Sequence, residues 1–416
     1  MEALLNVILR RAMRSVLRFD DVPMPENILP VSGNVRNASL VYVHIPFCES
    51  LCPYCSFHRY VYDAKRAHAY FNALLTELEL YQRLGCSFTA MYIGGGTPTI
   101  ALERLLEIIA YARSLFPLRE ISVETNPNHV QEHILAQLHN AGVNRLSVGV
   151  QSFNDDLLGV LGRLEKYGAS SAVQQRIRQA SGIFDTLNID LLFNLPLQTA
   201  HHLLHDLRVI ETLLPDQVTF YPLMVPPSVA MTLKKVFGPI DYRKEKSFYT
   251  TILNHLCHHY TGSTAWCFSR HQAMIDEYII EHTCYAGVGS GAFGCHGDTI
   301  TINTFSLEEY QQRLHNGLLP ITRVKTFSAR EARWYLLLMK LFGLSLRNDE
   351  LKVLRSRYGR AAFAPELFFL QRLGAVRRAY DGYELTDRGR YYWVMAMREF
   401  FIAVDTLRDV CRAGVG

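Results

Sequence analysis

No uninterrupted apolar run in this 416-residue chain reaches the ~20 residues that a membrane-spanning helix needs, so a helical span is not expected. Excess charge is scarce too. The 43 lysines and arginines stand against 39 acids, and a net +4 is too weak at this length to point to a nucleic-acid partner. Cysteine is sparse and odd in number, at nine, which argues against a disulfide framework and for a reducing cytoplasm. The first twenty residues are no secretory signal, because Arg10, Arg11, Arg14 and Arg18 interrupt any apolar core. What remains is ordinary for a soluble globular protein: 49% hydrophobic and 20% charged residues, enough for two domains plus an extension.

Three of the cysteines are clustered. Cys48, Cys52 and Cys55 sit in HIPFCESLCPYCSF, a Cys-x3-Cys-x2-Cys run. Soft thiolates suit zinc or iron–sulfur clusters. Structural zinc needs a fourth ligand, usually from a second pair, and none follows at the usual distance; Cys86 is isolated. Three thiolates on one short loop instead match three irons of a [4Fe–4S] cube. The fourth iron is then open to a chelating molecule.

From residue 40 onward β-branched runs alternate with helical patterns. Strands are predicted at residues 40–45, 88–93, 121–124, 145–150, 187–192 and 217–221, with helices between them, among them 101–114, 131–139 and 202–213. Such alternation gives parallel βαβ units, and six of them make an α/β fold, a partial (β/α)6 TIM-like barrel. Chemistry in such barrels gathers at the C-terminal strand ends. The expected organisation is a helical extension (1–38), the barrel core (39–262), an extension with the glycine-rich loop AGVGSGAFG (263–320), and a mostly helical, winged-helix-like C-terminal domain (321–416) with a tight turn at Asp381-Gly382. The first twenty residues repeat apolar side chains at helical spacing (Leu5, Ile8, Leu9, Ala12, Met13). That pattern fits a helix packed on the parent fold, and also peripheral contact with a membrane surface.

Polar residues mark the strand ends. GGGTP (Gly94–Pro98) leaves the second strand, where glycines admit close backbone approach and amide N–H groups can cradle a carboxylate. Glu124 ends the third strand, Gln151 the fourth, with Arg163 following, and Asp190 ends the fifth. Buried polar groups need partners, so their recurrence points to a ligand site.

The string LVYVHIPFCESLCPYC, with Tyr54 before the last cysteine, resembles the radical S-adenosylmethionine superfamily. It is closest in pattern to the branch holding oxygen-independent coproporphyrinogen III oxidase, the heme chaperone HemW and the class C radical methyltransferases. The resemblance covers residues 38–310. It implies a [4Fe–4S] cluster on Cys48, Cys52 and Cys55 and one or two molecules of S-adenosylmethionine. Reductive cleavage would release a 5′-deoxyadenosyl radical that abstracts hydrogen. Tyr42, Gly95, Glu124 and Phe293 would lie by the cluster-bound molecule; Tyr54, Gly96, Thr97, Gln151, Arg163, Asp190 and Met224 would line a second site. A tetrapyrrole or other apolar substrate and a reducing protein such as flavodoxin or ferredoxin are implied as partners, and no catalytic base is required. Methyl transfer, cyclopropanation and a HemW-like chaperone role stay open. Phe57 stands where the decarboxylating oxidase usually has a further cysteine, which counts against that reaction. Before the glycine loop, AWCFSRHQAMIDEYII offers Trp266, Arg270, His271 and Asp276 as polar and aromatic candidates. His44 is expected to support the cysteine loop, and Cys267, Cys284 and Cys295 to be buried free thiols.

Overall fold

Side chains alternate between the two faces of a strand, and here the faces differ in chemistry. In the computed structural model, which describes residues 6–7, 9–11, 13, 19, 36, 38–271, 280, 282, 284–359 and 361–413, six parallel strands are neighbours in chain order. They are β1 (Leu40–Ile45), β2 (Ala90–Gly95), β3 (Glu120–Thr125), β4 (Arg145–Gln151), β5 (Thr186–Phe193) and β6 (Gln217–Pro222). Val41, Val43, Ile93, Val123, Val148, Ile189 and Val218 face outward into the main apolar core. The helices that cover them are α1 (Ala64–Arg83), α2 (Leu102–Leu115), α3 (Glu132–Asn140), α4 (Ser170–Ala180), α5 (Ala200–Leu213) and, after α6 (Pro227–Phe237), which packs instead with Leu192, Leu195 and Leu223 in a second cluster, α7 (Tyr242–Leu256). Leu74 and Leu78 of α1, Leu105 and Ile108 of α2, and Leu203 and Leu207 of α5 join the same core.

The inner face is polar. Arg145 on β4 donates from Nη2 to Gln217 Oε1 on β6 (2.8 Å) and from Nη1 to Ser122 Oγ on β3 (3.0 Å). Strands β4 and β6 are not neighbours, so this bond exists only because the sheet curls. The fully buried guanidinium closes the floor of the barrel. Above it, Ser147 donates to Asp190 and Thr219 to Asn188, so each inner polar group finds the partner that burial demands.

The curl does not close. The sheet continues beyond β6 with the antiparallel β7 (Cys267–Ser269), and on its other side beyond β1. There β8 (Cys284–Val288) pairs parallel with β1, followed by the antiparallel β9 (Phe293–His296), β10 (Thr299–Asn303) and β11 (Ile321–Thr326). This corrects the expectation that AGVGSGAFG is a loop throughout. Residues 286–288 of the glycine-rich stretch are strand β8, Gly294 lies in β9, and only 289–292 is loop. The large sheet also runs through β11, past the expected 320/321 division.

Beyond α8 (Leu307–His315), the C-terminal part holds α9 (Ala329–Phe342), β12 (Ser345–Arg347), α10 (Asn348–Tyr358), α11 (Ala364–Arg372), β13 (Val376–Ala379), β14 (Gly382–Leu385) and α12 (Asp387–Ala413). The three short strands form a sheet of order β12-β14-β13, the small sheet of a winged helix. The turn falls at 380–381, one residue before the position expected. Gly382, at φ +124°, already opens β14, where a Cβ would collide with Leu346 O at 2.2 Å.

Helix α12 ties the two ends of the chain to the barrel. Its Arg398 is fully buried against Glu245 of α7, and its Glu399 accepts from Arg10 Nε at 2.8 Å. Asn6 Oδ1 accepts from Arg398 at 2.6 Å, and Leu9 and Met13 pack on the core. The described residues of the N-terminal helix therefore pack on the parent fold. Leu5, Ile8 and Ala12 lie outside the described residues. Among the described residues no helix is long and apolar enough to cross a membrane.

Candidate functional site

The cysteine loop leaves β1 at the C-terminal end of the barrel. Phe47–Cys48 pairs parallel with Tyr60–Val61, so both arms of the loop are fixed by backbone bonds. Cys48 and Cys52 are part-exposed, as is Cys55, and all three are free thiols. Thr97 Oγ1 lies 3.6 Å from Cys48 Sγ, Lys166 Nζ 3.7 Å from Cys52 Sγ, and Arg163 Nη1 4.0 Å from the same sulfur. Hydroxyl, ammonium and guanidinium donors around the sulfurs are what a thiolate-ligated, anionic cluster needs. Burial pushes the Cys48 thiol up to about 11 and also raises Cys55, so iron must displace protons to bind. Among the described residues no three His, Cys, Asp or Glu side chains converge as for a single ion.

Around the loop the strand ends supply a cradle. Gly95, at φ +116°, donates its N–H to Glu124 Oε2 at 3.0 Å, and Tyr92 donates to Glu124 Oε1 at 2.8 Å. A Cβ on Gly95 would lie 2.6 Å from His44 Cε1, and one on Gly96 2.6 Å from Phe47 O; only glycine admits this crossing of β2 against β1. Thr97 donates its backbone N–H to Phe47 O and accepts from Asn126 Nδ2 at 2.7 Å. Gln151 ends β4 at φ +75° beside a register shift, a bulge that re-aims its side chain.

Arg163 joins the parts. Its Nη1 donates to the Tyr54 hydroxyl at 2.7 Å, and its Nη2 to Asn126 Oδ1 (2.9 Å) and Gly149 O (2.5 Å). One buried guanidinium thus links the cysteine loop, the end of β3 and the end of β4. Asp190 does not end β5 as expected; it lies three residues before the strand end and takes bonds from Ser147 Oγ and Asn188 Nδ2, both at 2.8 Å, one layer below the rim.

His44 supports the loop as expected. Burial lowers it to about 4, so the ring is neutral. Its Nε2 donates to His58 O at 2.9 Å, which leaves Nδ1 to accept from Tyr42 O–H, also at 2.9 Å. His58 in turn lies 3.1 Å from Ser290 Oγ in the glycine loop. That loop is fixed from α1: Glu77 accepts from Gly289 N–H (2.8 Å) and Tyr310 O–H (2.5 Å), and Tyr70 O–H accepts from Ser290 N–H (2.9 Å).

Phe293 reaches the loop through α12. The Arg408 guanidinium stands 5.4 Å from the rings of both Phe293 and Phe57. Asp405 accepts from Ser56 O–H at 2.7 Å, and Arg412 donates to Ser56 O at 3.4 Å. Asp405, Arg408, Asn126 and Lys166 were not read from sequence; the NPN after β3 was the signal for Asn126, and α12 gave none.

Met224 lies just past the end of β6, half-buried against the main core. Other candidates lie elsewhere. Trp266 is fully buried, edge-on to Phe342 at 4.7 Å, and serves the core. Arg270 donates to Leu214 O at 2.8 Å, beneath β6, and His271 is exposed. Asp276 lies outside the described residues. Cys267 and Cys295 are buried, Cys284 half-buried.

A family model of the radical SAM superfamily matches residues 42–209. The heme chaperone HemW of Bacillus subtilis (strain 168) is 31% identical over 373 residues, which covers 84% of this chain and 95% of that protein. The chain belongs to the radical SAM superfamily, in its coproporphyrinogen III oxidase-like family. Oxygen-independent coproporphyrinogen III oxidase of Paracoccus denitrificans (strain Pd 1222) is 32% identical over 189 residues, 44% of this chain and 42% of that one. The solved coproporphyrinogen III oxidase (HemN) from Escherichia coli superposes with a TM-score of 0.73 at 22% identity, covering 93% of this chain and 92% of that one, and shows the shared fold. Radical SAM proteins use a [4Fe–4S] cluster and S-adenosylmethionine, and the donors around the cysteine sulfurs fit the cluster.

Proposed function

We propose that this protein cleaves S-adenosylmethionine at the barrel mouth and acts on a tetrapyrrole-class molecule. The observation that carries the reading is Arg163, which fixes Tyr54 of the cysteine loop to the ends of β3 and β4. Cys48, Cys52 and Cys55 would hold three irons, and the bound pair would supply the one-electron sulfonium cleavage of this superfamily. The chain's own groups orient and enclose. Glu124, held by Tyr92 and Gly95, presents a fixed carboxylate to an ammonium group. Gly95 and Gly96 let the backbone approach; Tyr42, oriented by neutral His44, and Phe293, under Arg408, wall the cluster side. Tyr54, Thr97, Gln151, Arg163 and Asp190 would line a second nucleotide site, and Met224 is the weakest member of that set. Hydrogen abstraction needs no general base, and none is assigned.

A second reading has its own support. The match to a heme chaperone spans 95% of that protein, and a chaperone would hold heme without turning over S-adenosylmethionine. Anaerobic reconstitution followed by dithionite and S-adenosylmethionine separates the two. Cluster-dependent 5′-deoxyadenosine supports radical chemistry, with coproporphyrinogen III the first substrate to add. Stoichiometric heme binding without deoxyadenosine favours the chaperone.

A further inference from the structure

The two cations nearest the cysteine sulfurs stand in different relations to their loop. Arg163 is tied up in structure. Its guanidinium donates to Tyr54, Asn126 and Gly149, and its Cζ lies over Tyr167, 4.5 Å from the ring centroid. Its approach to Cys52 Sγ is long, at 4.0 Å. Lys166 has fewer ties. Its Nζ lies 3.7 Å from Cys52 Sγ and donates to Ser50 O at 3.3 Å, and among the described residues no carboxylate pairs with it.

A lysine near a surface ordinarily carries its ammonium out to water. Here the chain aims it back at the loop. Gly162, at φ +66°, turns the backbone toward the cysteine loop, where a Cβ would sit 3.8 Å from Pro53 Cδ. The single helical turn Leu164–Tyr167 follows. It is held from behind: Tyr167 is buried, Arg176 Nη1 donates to Tyr167 O at 2.5 Å, and Asp155 Oδ1 accepts from Ser170 N–H at 2.7 Å. Lys166 stands half-buried on this fixed turn.

The three sulfurs are therefore dressed unequally. Cys48 meets a neutral hydroxyl, Thr97 Oγ1. Cys55 meets the backbone of Phe57. Cys52 has two cations at its sulfur and a third, Arg59, donating to its carbonyl at 2.6 Å. A cluster becomes one unit more negative when it accepts an electron, and positive charge beside its sulfurs stabilises that state.

We infer that Lys166 raises the reduction potential of the [4Fe–4S] cluster through the Cys52 sulfur and so eases its reduction. The step is the addition of one electron from a low-potential donor, the cluster passing from 2+ to 1+ with no bond made or broken. Lys166 touches a ligand of the cluster and not the reacting atoms, so it tunes the centre and is not a catalytic residue. The inference rests on the cluster assignment and on neither functional reading, since an enzyme and a chaperone would both show it.

The test is a dithionite redox titration of the reconstituted full-length protein, with the reduced cluster followed by electron paramagnetic resonance, without and with S-adenosylmethionine. Lys166→Gln keeps a donor for Ser50 O and removes the charge; Lys166→Arg keeps both. The glutamine variant should hold parental iron and sulfide. At a fixed potential without S-adenosylmethionine its ratio of reduced to oxidised cluster should fall about ten-fold, a shift of about 59 mV to lower potential for one electron. The arginine variant should keep that ratio within about two-fold of the parent. A glutamine variant that also stays within about two-fold overturns the inference. A shift seen only with S-adenosylmethionine present overturns it too, and gives Lys166 to that molecule's carboxylate. Iron lost from both variants alike would show a structural tie at Ser50 and no tuning. A parent that takes up no iron would remove the cluster assignment, and the inference with it.

Discussion

The Arg163 guanidinium and the Tyr54 hydroxyl, 2.7 Å apart, make the cysteine loop and the exit of β4 one mechanical unit. The same guanidinium holds Asn126 and Gly149 O, and a lysine could not span all three because it lacks the planar fork. Arg163→Lys should keep the cluster and lose about ten-fold in 5′-deoxyadenosine release, the cost of one hydrogen bond to a charged group. Full release at normal iron content would remove Arg163 from the site.

Cys52→Ala should abolish the cluster and leave the barrel folded, because the loop stands outside the apolar core. Iron and sulfide content should fall to background while far-ultraviolet circular dichroism stays that of the parent. Retained iron with full cleavage activity would sink the assignment.

Asp206 predicts a pH dependence. On α5 it accepts from Ser152 Oγ, from Phe153 N–H at 2.6 Å and from Asn154 Nδ2 at 2.8 Å, fixing the turn just past Gln151. Burial raises it from 3.8 to about 7. Between those values the folded state keeps a proton that the unfolded chain has lost. Raising the pH through that window therefore destabilises the native protein. Asp206→Asn removes the titration, so denaturant unfolding should show the variant gaining on the parent from pH 4 to pH 7, by roughly 1.4 kcal/mol for each step of one in pH. A difference independent of pH would show that Asp206 stays charged.

Removing Arg398 should be severe. Arg398→Met takes the buried countercharge from Glu245 and leaves Glu399 to its half-exposed partner Arg10, a loss of about 3–5 kcal/mol. Arg10→Ala, at a half-exposed partner of Glu399, should cost no more than about 1 kcal/mol. Thermal unfolding checks both, and equal effects would refute the argument.

Much of this was legible in the sequence because it rests on local chemistry. The six strands fall where β-branched residues alternate, and Glu124, Gln151 and Arg163 meet near the cysteine loop because barrel topology gathers strand ends. The glycine stretch misled for a physical reason. Its glycines look like a loop, yet Gly287 lies inside β8, where a Cβ would meet Phe293 O at 2.3 Å. They serve tight strand packing as well as a turn. Trp266 looked available because aromatic residues serve both ligands and cores, and only packing against Phe342 decides between them. Asp405 and Arg408 could not be read at all, since their partners on the cysteine loop, Ser56 and Phe57, lie some 350 residues earlier in the chain.

That last separation has a consequence for biosynthesis. Ser56 leaves the ribosome long before Asp405 exists, so the three thiols proposed to bind iron are made without the helix that later clasps their loop. The clasp of α12 on this loop can form only after residues 405–412 are made.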